Sequence, residues 1–158
     1  MTGFDHKSKG NDKESFQGLN NEFNQDQEAL EFIKEGKLIQ AEEIYQKLIK
    51  LGTRNHNIYG NLAALYGMKG NKNEMYKLLK KAIEIEPNYS EAHNSLGNYY
   101  HDKGNYDLAI KEYNYAIHIK KDYFDPYYNL GNTLISKSEF SSAISILKEA
   151  LKLKKNNY

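Results

Sequence analysis

Apolar residues in most of the chain recur at three- and four-residue spacing. Between Asn105 and Tyr123 one stripe comprises Leu108, Ala109, Tyr113, Ala116 and Ile117. This spacing is typical of an amphipathic α-helix that buries one face. No segment shows the alternation of apolar and polar residues that a half-buried strand requires. The pattern therefore predicts an all-α protein.

Glycines and large apolar residues return at a fixed interval of 34 residues. Gly36, Gly70 and Gly104 share this spacing, and Ser138 takes the next place. Two further columns with the same spacing hold large residues: Phe32, Tyr66, Tyr100 and Leu134, and Tyr45, Leu79, Tyr113 and Leu147. A period of this length predicts tandem structural units that bury their apolar faces only when stacked.

Each unit is predicted to contain two helices joined by a tight turn. In residues 90–123, Ser90 is the predicted N-cap of the first helix. Gly104 follows the end of that helix, at the left-handed position that favours glycine, and Asn105 begins the second helix. In the fourth unit, Asp125 and Pro126 predict a helix start, with a capping carboxylate before a proline at the first helical position.

These residues resemble the tetratricopeptide repeat (TPR) family. Its 34-residue signature is matched most clearly in the third unit, by His93, Leu96, Gly97, Tyr100, Ala109, Tyr113 and Ala116. The first unit matches less well, because Gln25 and Glu28 replace its leading apolar residues. The resemblance implies a right-handed α-α superhelix, or solenoid, of four tandem 34-residue helix-turn-helix repeats. The predicted TPR domain covers residues 22–158, with repeats at 22–55, 56–89, 90–123 and 124–157.

The first 21 residues differ in composition from the rest of the chain. They are rich in Lys, Asp, Asn, Ser and Gly, and their sizeable apolar residues are Phe4, Phe16 and Leu19. Such a segment buries too little apolar surface to offset the entropy lost on ordering. Residues 1–21 are therefore expected to be a disordered tail or a linker.

Charge and composition exclude several classes of function. Lys and Arg number 22 and Asp and Glu 21, which leaves a net charge of +1 and argues against a nucleic-acid partner. The absence of cysteine excludes disulfides, thiolate metal sites and cysteine nucleophiles. No apolar run is long enough to span a bilayer, and the polar N-terminus does not resemble a signal peptide. We therefore expect a cytoplasmic protein with no membrane partner.

The sequence contains no recognisable catalytic or metal-binding motif. Its five histidines lack metal-ligand spacing, and no glycine-rich phosphate loop or nucleophile elbow is present. His101 and Asp102 are adjacent, but neighbouring helical residues do not face each other. The expectation is a protein that is not an enzyme and that uses no cofactor and no metal.

The TPR resemblance implies a binding surface on the first helix of each repeat, which lines the concave face of the superhelix. The inward residues on this alignment are Asn57, Asn61, Glu91, Asn94, Ser95, Asn98, His101, Asp125, Tyr128, Asn129 and Asn132. An amide side chain both donates and accepts hydrogen bonds, so a column of asparagines can pair with the backbone of an extended peptide. Two segments, 95–98 and 129–132, resemble the TPR region of O-linked N-acetylglucosamine transferases, where an asparagine ladder grips substrate peptides.

Two features of this surface leave room for other interpretations. Asparagine is common throughout the chain, so these residues are alternatively only solvated. The carboxylates Asp26, Glu91, Asp102 and Asp125 favour a neutral or basic partner segment. The leading hypothesis is a non-enzymatic scaffold that binds a partner peptide or helix in the concave groove. One alternative is the N-terminal targeting arm of a larger glycosyl- or sulfotransferase.

The last predicted helix suggests a further alternative. Ile144, Leu147 and Leu151 lie on it, and no polar capping helix is visible after it. Its apolar face is covered by another copy, covered by a longer chain, or kept in solution by its lysines. The first case predicts a homo-oligomer, a self-associating repeat that assembles through its C-terminal helix.

Overall fold

The structure, a computed structural model, describes residues 8–156, with the side chains of residue 18 and of residues 20–155. Within that range it contains eight α-helices and no strand, which confirms the all-α prediction. The helices are α1 (Ser8–Lys34), α2 (Leu38–Lys50), α3 (His56–Met68), α4 (Lys72–Ile85), α5 (Ser90–Asp102), α6 (Tyr106–Ile119), α7 (Phe124–Ser136) and α8 (Phe140–Asn156). The chain divides into two compact units between Thr53 and Arg54.

The first unit contains α1 packed against α2. Its buried apolar side chains among the described residues are Ala29, Ala41, Tyr45 and Leu48, and the two alanines allow the helices to approach closely. Helix α1 begins at Ser8, before the start of the first predicted repeat at Glu22. Residues 8–21 contain no proline, and extending an existing helix costs far less than nucleating one. The described part of the predicted tail is therefore helical, while residues 1–7 lie outside the described residues.

The second unit contains three helix pairs: α3 with α4, α5 with α6, and α7 with α8. The second helix of each pair packs on the first helix of the next pair, and α5 also contacts α7 directly. One core cluster between the last two pairs consists of Ala109, Tyr113, Leu130, Leu134 and Ala143. The 34-residue columns found in the sequence therefore hold the residues that join neighbouring helices.

The turns within the pairs use left-handed backbone, as the glycine column predicts. Gly104 has φ 74°, which confirms its predicted position after the first helix of its unit. Ser138 occupies the equivalent place before α8 with φ 63°, which is costly for a residue with a side chain. The 34-residue spacing thus preserves the backbone conformation even where glycine is replaced.

Two predicted helix starts are wrong by one or two residues. Tyr89 is the N-cap of α5, and its carbonyl accepts from the backbone N–H of Ala92 and His93 at 3.2 Å. Ser90 is already helical, and its hydroxyl donates to Glu91 Oε2 at 3.0 Å. Helix α7 begins at Phe124, so Pro126 is its third residue. Proline is tolerated there because N–H groups of the first turn have no intrahelical acceptor.

Candidate functional site

The candidate site lies on the surface formed by the exposed residues of α3, α5 and α7, here called the odd-helix face. These three helices contain no Lys or Arg; α3 has no charged residue, α5 has Glu91 and Asp102, and α7 has Asp125. Lys120 Nζ lies 3.5 Å from Glu91 Oε1, and Lys72 Nζ lies 2.5 Å from Asp102 Oδ2. Neither lysine belongs to the three helices: Lys120 follows α6 and Lys72 begins α4. The cations near this face are therefore at its border, whereas its own charged residues are acidic.

Asn98 is exposed on this face, and its amide is held in one orientation. Gly97 has no Cβ, so the ring of Tyr113 from α6 packs directly against α5. The Tyr113 hydroxyl consequently reaches Asn98 and donates to its Oδ1 at 2.7 Å. Burial raises the pKa of Tyr113, so the phenol keeps the proton that it donates. With Oδ1 occupied, the Nδ2 donors of Asn98 are the part of the amide that remains for a ligand.

Asn129 on α7 is held by its amide nitrogen, whereas Asn98 is held by its amide oxygen. Its Nδ2 donates to Asn94 Oδ1 across the α5–α7 contact at 3.1 Å. Asn94 is only 6% exposed, and its own Nδ2 donates to the Tyr123 hydroxyl at 3.4 Å. Burial, with help from the nearby Asp125 charge, raises the pKa of Tyr123 to about 12. Asn94 therefore lies beneath the odd-helix face and positions Asn129, whose Oδ1 acceptor is left for a ligand.

His101 joins the same network through Thr133. Thr133 is fully buried and its hydroxyl donates to the Asn129 carbonyl at 2.8 Å, so it accepts from His101 Nδ1 at 2.9 Å. His101 is half-buried, with its ring 5.4 Å from that of Tyr106. The hydrogen bonds fix which ring nitrogen carries the proton: Nδ1 is the donor, and Nε2 is the remaining polar atom of the ring.

Asn132 and Tyr128 on α7 are less constrained. Gly131 is packed by Leu147 in the way that Gly97 is packed by Tyr113, but leucine has no hydroxyl to offer the next asparagine. The Asn132 side chain makes no hydrogen bond to any side chain that the structure describes. Tyr128 is 49% exposed and stacks on Phe124 with ring centroids 5.9 Å apart. Together they add a free amide and an exposed aromatic surface to the face.

The remaining predicted residues contribute less to this network. The Ser95 hydroxyl donates to the Glu91 carbonyl at 2.9 Å, so it is bonded to its own helix. Asn57 is exposed and Asn61 is half-buried on α3, while Asp125 is exposed at the start of α7. Sequence reasoning did not find the positioning roles of Tyr113, Tyr123 and Thr133. The 34-residue column marked Tyr113 as a packing residue, but nothing in the pattern distinguished Thr133.

The residues predicted as an oligomer interface lie on α8. Ile144 and Leu151 are 56% and 62% exposed, and Leu147 is half-buried against Gly131. Phe140, one turn before Ile144, is 59% exposed. These side chains form one apolar stripe at four- and three-residue spacing.

Among the described residues, no cluster of three or more His, Asp or Glu side chains could hold a metal ion. None of the described helices is both long and apolar enough to cross a membrane.

Known proteins with this pattern of helices are repeat proteins. Family models described as TPR repeat or tetratricopeptide repeat match residues 97–137, 78–111, 56–89 and 124–157, and together they span residues 56–157. The crystal structure of MamA is similar with 25% identity and a TM-score of 0.78, covering 99% of this chain and 100% of that chain. No curated protein sequence matches the chain.

Two further solved structures share the fold at lower identity. YrrB, described as a TPR protein with an unusual peptide-binding site, has 19% identity and a TM-score of 0.69, covering 80% of this chain and 66% of its own. PilF from Pseudomonas aeruginosa has 16% identity and a TM-score of 0.76, covering 85% of this chain and 62% of its own.

Proposed function

Because the chain belongs to the tetratricopeptide repeat family, we propose that it is a non-enzymatic scaffold that binds a segment of another protein on the odd-helix face. The proposed ligand is an extended peptide segment whose backbone groups pair with Asn98, Asn129 and Asn132. The description of YrrB as a peptide-binding TPR protein supports this class of function.

The observation that carries the proposal is that the amides of Asn98 and Asn129 leave opposite groups available, a donor on one and an acceptor on the other. Asn98 offers Nδ2 donors because Tyr113 occupies its Oδ1, and Asn129 offers Oδ1 because Asn94 occupies its Nδ2. A peptide backbone carries one C=O acceptor and one N–H donor per residue, which this pair complements. Because the amides are already oriented, they lose little conformational entropy when they bind.

The charge of the face supports a neutral or basic ligand. The three helices carry Glu91, Asp102 and Asp125 and no Lys or Arg. An acidic segment would meet like charges there, whereas a lysine-containing segment would meet complementary ones. Tyr128 adds an exposed aromatic ring that suits either an apolar side chain or a cation.

A random dodecapeptide library displayed on phage provides the test. Peptides selected on the wild-type chain are measured against a triple variant, Asn98→Ala with Asn129→Ala and Asn132→Ala. Each hydrogen bond contributes about 0.5–1.5 kcal/mol, so the triple variant is expected to bind at least about tenfold more weakly. The control replaces three asparagines that lie outside the three helices of the face, Asn73, Asn88 and Asn114, and retains wild-type affinity.

Two further measurements address orientation and charge. Tyr113→Phe keeps the ring but removes the hydroxyl that orients Asn98, and a few-fold loss of affinity is expected. Peptides in which lysines are replaced with glutamates are expected to bind the wild-type chain more weakly than the selected peptides do. If the triple variant binds the selected peptides as tightly as the wild type, the asparagines are only solvated and the proposal is wrong.

A further inference from the structure

Helix α8 carries an apolar stripe that the described residues leave largely uncovered. Phe140, Ile144 and Leu151 are 59%, 56% and 62% exposed, with half-buried Leu147 between them. These four positions follow helical spacing over almost the whole length of α8. We refer to this set of four residues as the α8 stripe.

The preceding repeat shows what packs on the equivalent residues of α6. The residues 34 positions earlier in α6 include Tyr106, Ile110 and Ile117, all of which are half-buried. There, Ile110 and Ile117 pack against a core that includes Leu130 and Leu134 of the following helix α7. The α8 stripe therefore has the residue pattern of a surface that is covered by an amphipathic helix elsewhere in the same molecule.

The charge around the α8 stripe restricts which helix fits. Helix α8 contains four lysines and one glutamate, a net charge of +3. Glu149 pairs with Lys152 at 2.6 Å, and Lys148, Lys154 and Lys155 pair with no carboxylate that the structure describes. Lys148, Leu151, Lys152, Lys154 and Lys155 line one common pocket. A complementary helix would present apolar side chains flanked by carboxylates.

The first helix of this chain has that composition. From residue 20 to its end at Lys34, α1 contains four carboxylates and one lysine, a net charge of −3. Phe23 on α1 is 61% exposed. Glu22 lies beside Phe23 in sequence and has no ion-pair partner among the side chains that the structure describes.

We propose that the α8 stripe of one copy binds the middle of α1, around Glu22 and Phe23, from a second copy, so that the chain self-associates through two different surfaces. This contact uses neither Asn98 nor Asn129 and is independent of peptide binding on the odd-helix face. The contact joins two different surfaces, so any open chain of copies has an unused α1 at one end and an unused α8 stripe at the other. Assembly therefore continues with each added copy, unless the two ends meet and close a ring. Pairing two α8 stripes would instead bring two helices of net charge +3 together.

Two single substitutions, each at an exposed residue, block the two halves separately. Leu151→Asp places a charge in the α8 stripe, and Phe23→Asp places one in α1. Ile39→Asp is the control, since Ile39 is 66% exposed on α2 and belongs to neither surface. Circular dichroism verifies that all three variants remain folded.

Light-scattering chromatography then measures molar mass across a concentration series at low and high salt. The wild type and Ile39→Asp are expected to grow beyond the monomer with concentration and to dissociate as salt rises. Leu151→Asp and Phe23→Asp are each expected to be monomeric alone. Mixed in equal amounts they should form a species of two chains and nothing larger, because each contributes its one intact surface.

Three results would overturn the proposal. Association of Phe23→Asp alone would mean that α8 stripes pair with each other. Failure of the two blocked variants to combine would mean that α1 and α8 are not partners. A wild type that stays monomeric at every concentration would mean that the stripe does not receive a second copy.

Discussion

Replacing Gly97 with alanine tests whether the Tyr113 ring rests directly on α5. A Cβ at this position would lie 2.5 Å from Tyr113 Cδ1 and 2.8 Å from its Cζ, closer than carbon atoms approach in folded proteins. Tyr113 is 1% exposed, so its ring has no free space to move into. The added methyl must therefore separate α5 from α6 or force the ring off its rotamer.

The expected change is a net loss of about 2 kcal/mol in the free energy of unfolding. Overpacking costs about 1–3 kcal/mol, and loss of the Tyr113–Asn98 hydrogen bond adds about 1 kcal/mol. The higher helix propensity of alanine returns about 1 kcal/mol. For a chain of this size the net loss lowers Tm by roughly 4–8 °C.

Urea denaturation followed by circular dichroism measures this change, with Gly67→Ala as the matched control. Gly67 is also helical, but its nearest neighbour is the flexible Met75 side chain, whose Sδ would lie 3.1 Å from the new Cβ. The thioether can shift, so Gly67→Ala is expected to be neutral or to stabilise by up to about 1 kcal/mol. If Gly97→Ala is as stable as Gly67→Ala, then the ring does not pack on α5 as described.

Three other perturbations have definite expected outcomes in the same denaturation assay. Ser138→Gly removes the side chain from a residue with φ 63° and should stabilise the fold by about 0.5–1 kcal/mol. Gly104→Ser adds a side chain at φ 74° and should destabilise the fold by a similar amount. If both variants are as stable as the wild type, the backbone is not strained at these positions. Glu112→Ala removes the carboxylate that is bonded at 2.6 Å to Nδ1 of the buried His93 ring and should cost about 1–3 kcal/mol, part of which should be recovered when His93→Phe is added. Folding raises the pKa of Tyr123 from 10.0 to about 12, so its contribution is complete below pH 10 and is lost between pH 10 and 12. The free energy of unfolding should therefore fall less steeply between pH 10 and 12 in Tyr123→Phe than in the wild type. Equal slopes would refute this role of Tyr123.

The two proposed interactions use separate parts of the chain. The proposed peptide binding depends on amides of α5 and α7, and the proposed self-association depends on the α8 stripe and on α1 around Phe23. A variant blocked at Leu151 is consequently expected to keep its affinity for selected peptides, which allows the two proposals to succeed or fail independently.

The helical repeat could be predicted because it depends on local geometry. Columns of large residues recur every 34 residues, and the side chains of Tyr45, Leu79 and Tyr113 from one of them are almost completely buried, as the pattern indicates. The helix starts were less accurate because they depend on distant contacts. Tyr89, the N-cap of α5, stacks edge-on against His56 at 4.7 Å, and Tyr123, the N-cap of α7, is bonded to Asn94. Neither Tyr89 nor Tyr123 makes a side-chain capping bond, so no capping motif in the sequence marks these two helix starts.

By itself, the sequence determined the residue types of the candidate site: asparagines on the first helices of the second, third and fourth repeats, and no Lys or Arg on those helices. The tertiary structure decided what each asparagine can do. Asn94 and Asn98 are one helical turn apart on α5, yet Asn94 is covered by α7 and Asn98 is exposed. Which end of an amide faces outward depends on partners far away in sequence, Tyr113 for Asn98 and Asn94 for Asn129. A linear pattern records the spacing of residues along one helix, but hydrogen bonds between helices depend on how those helices pack.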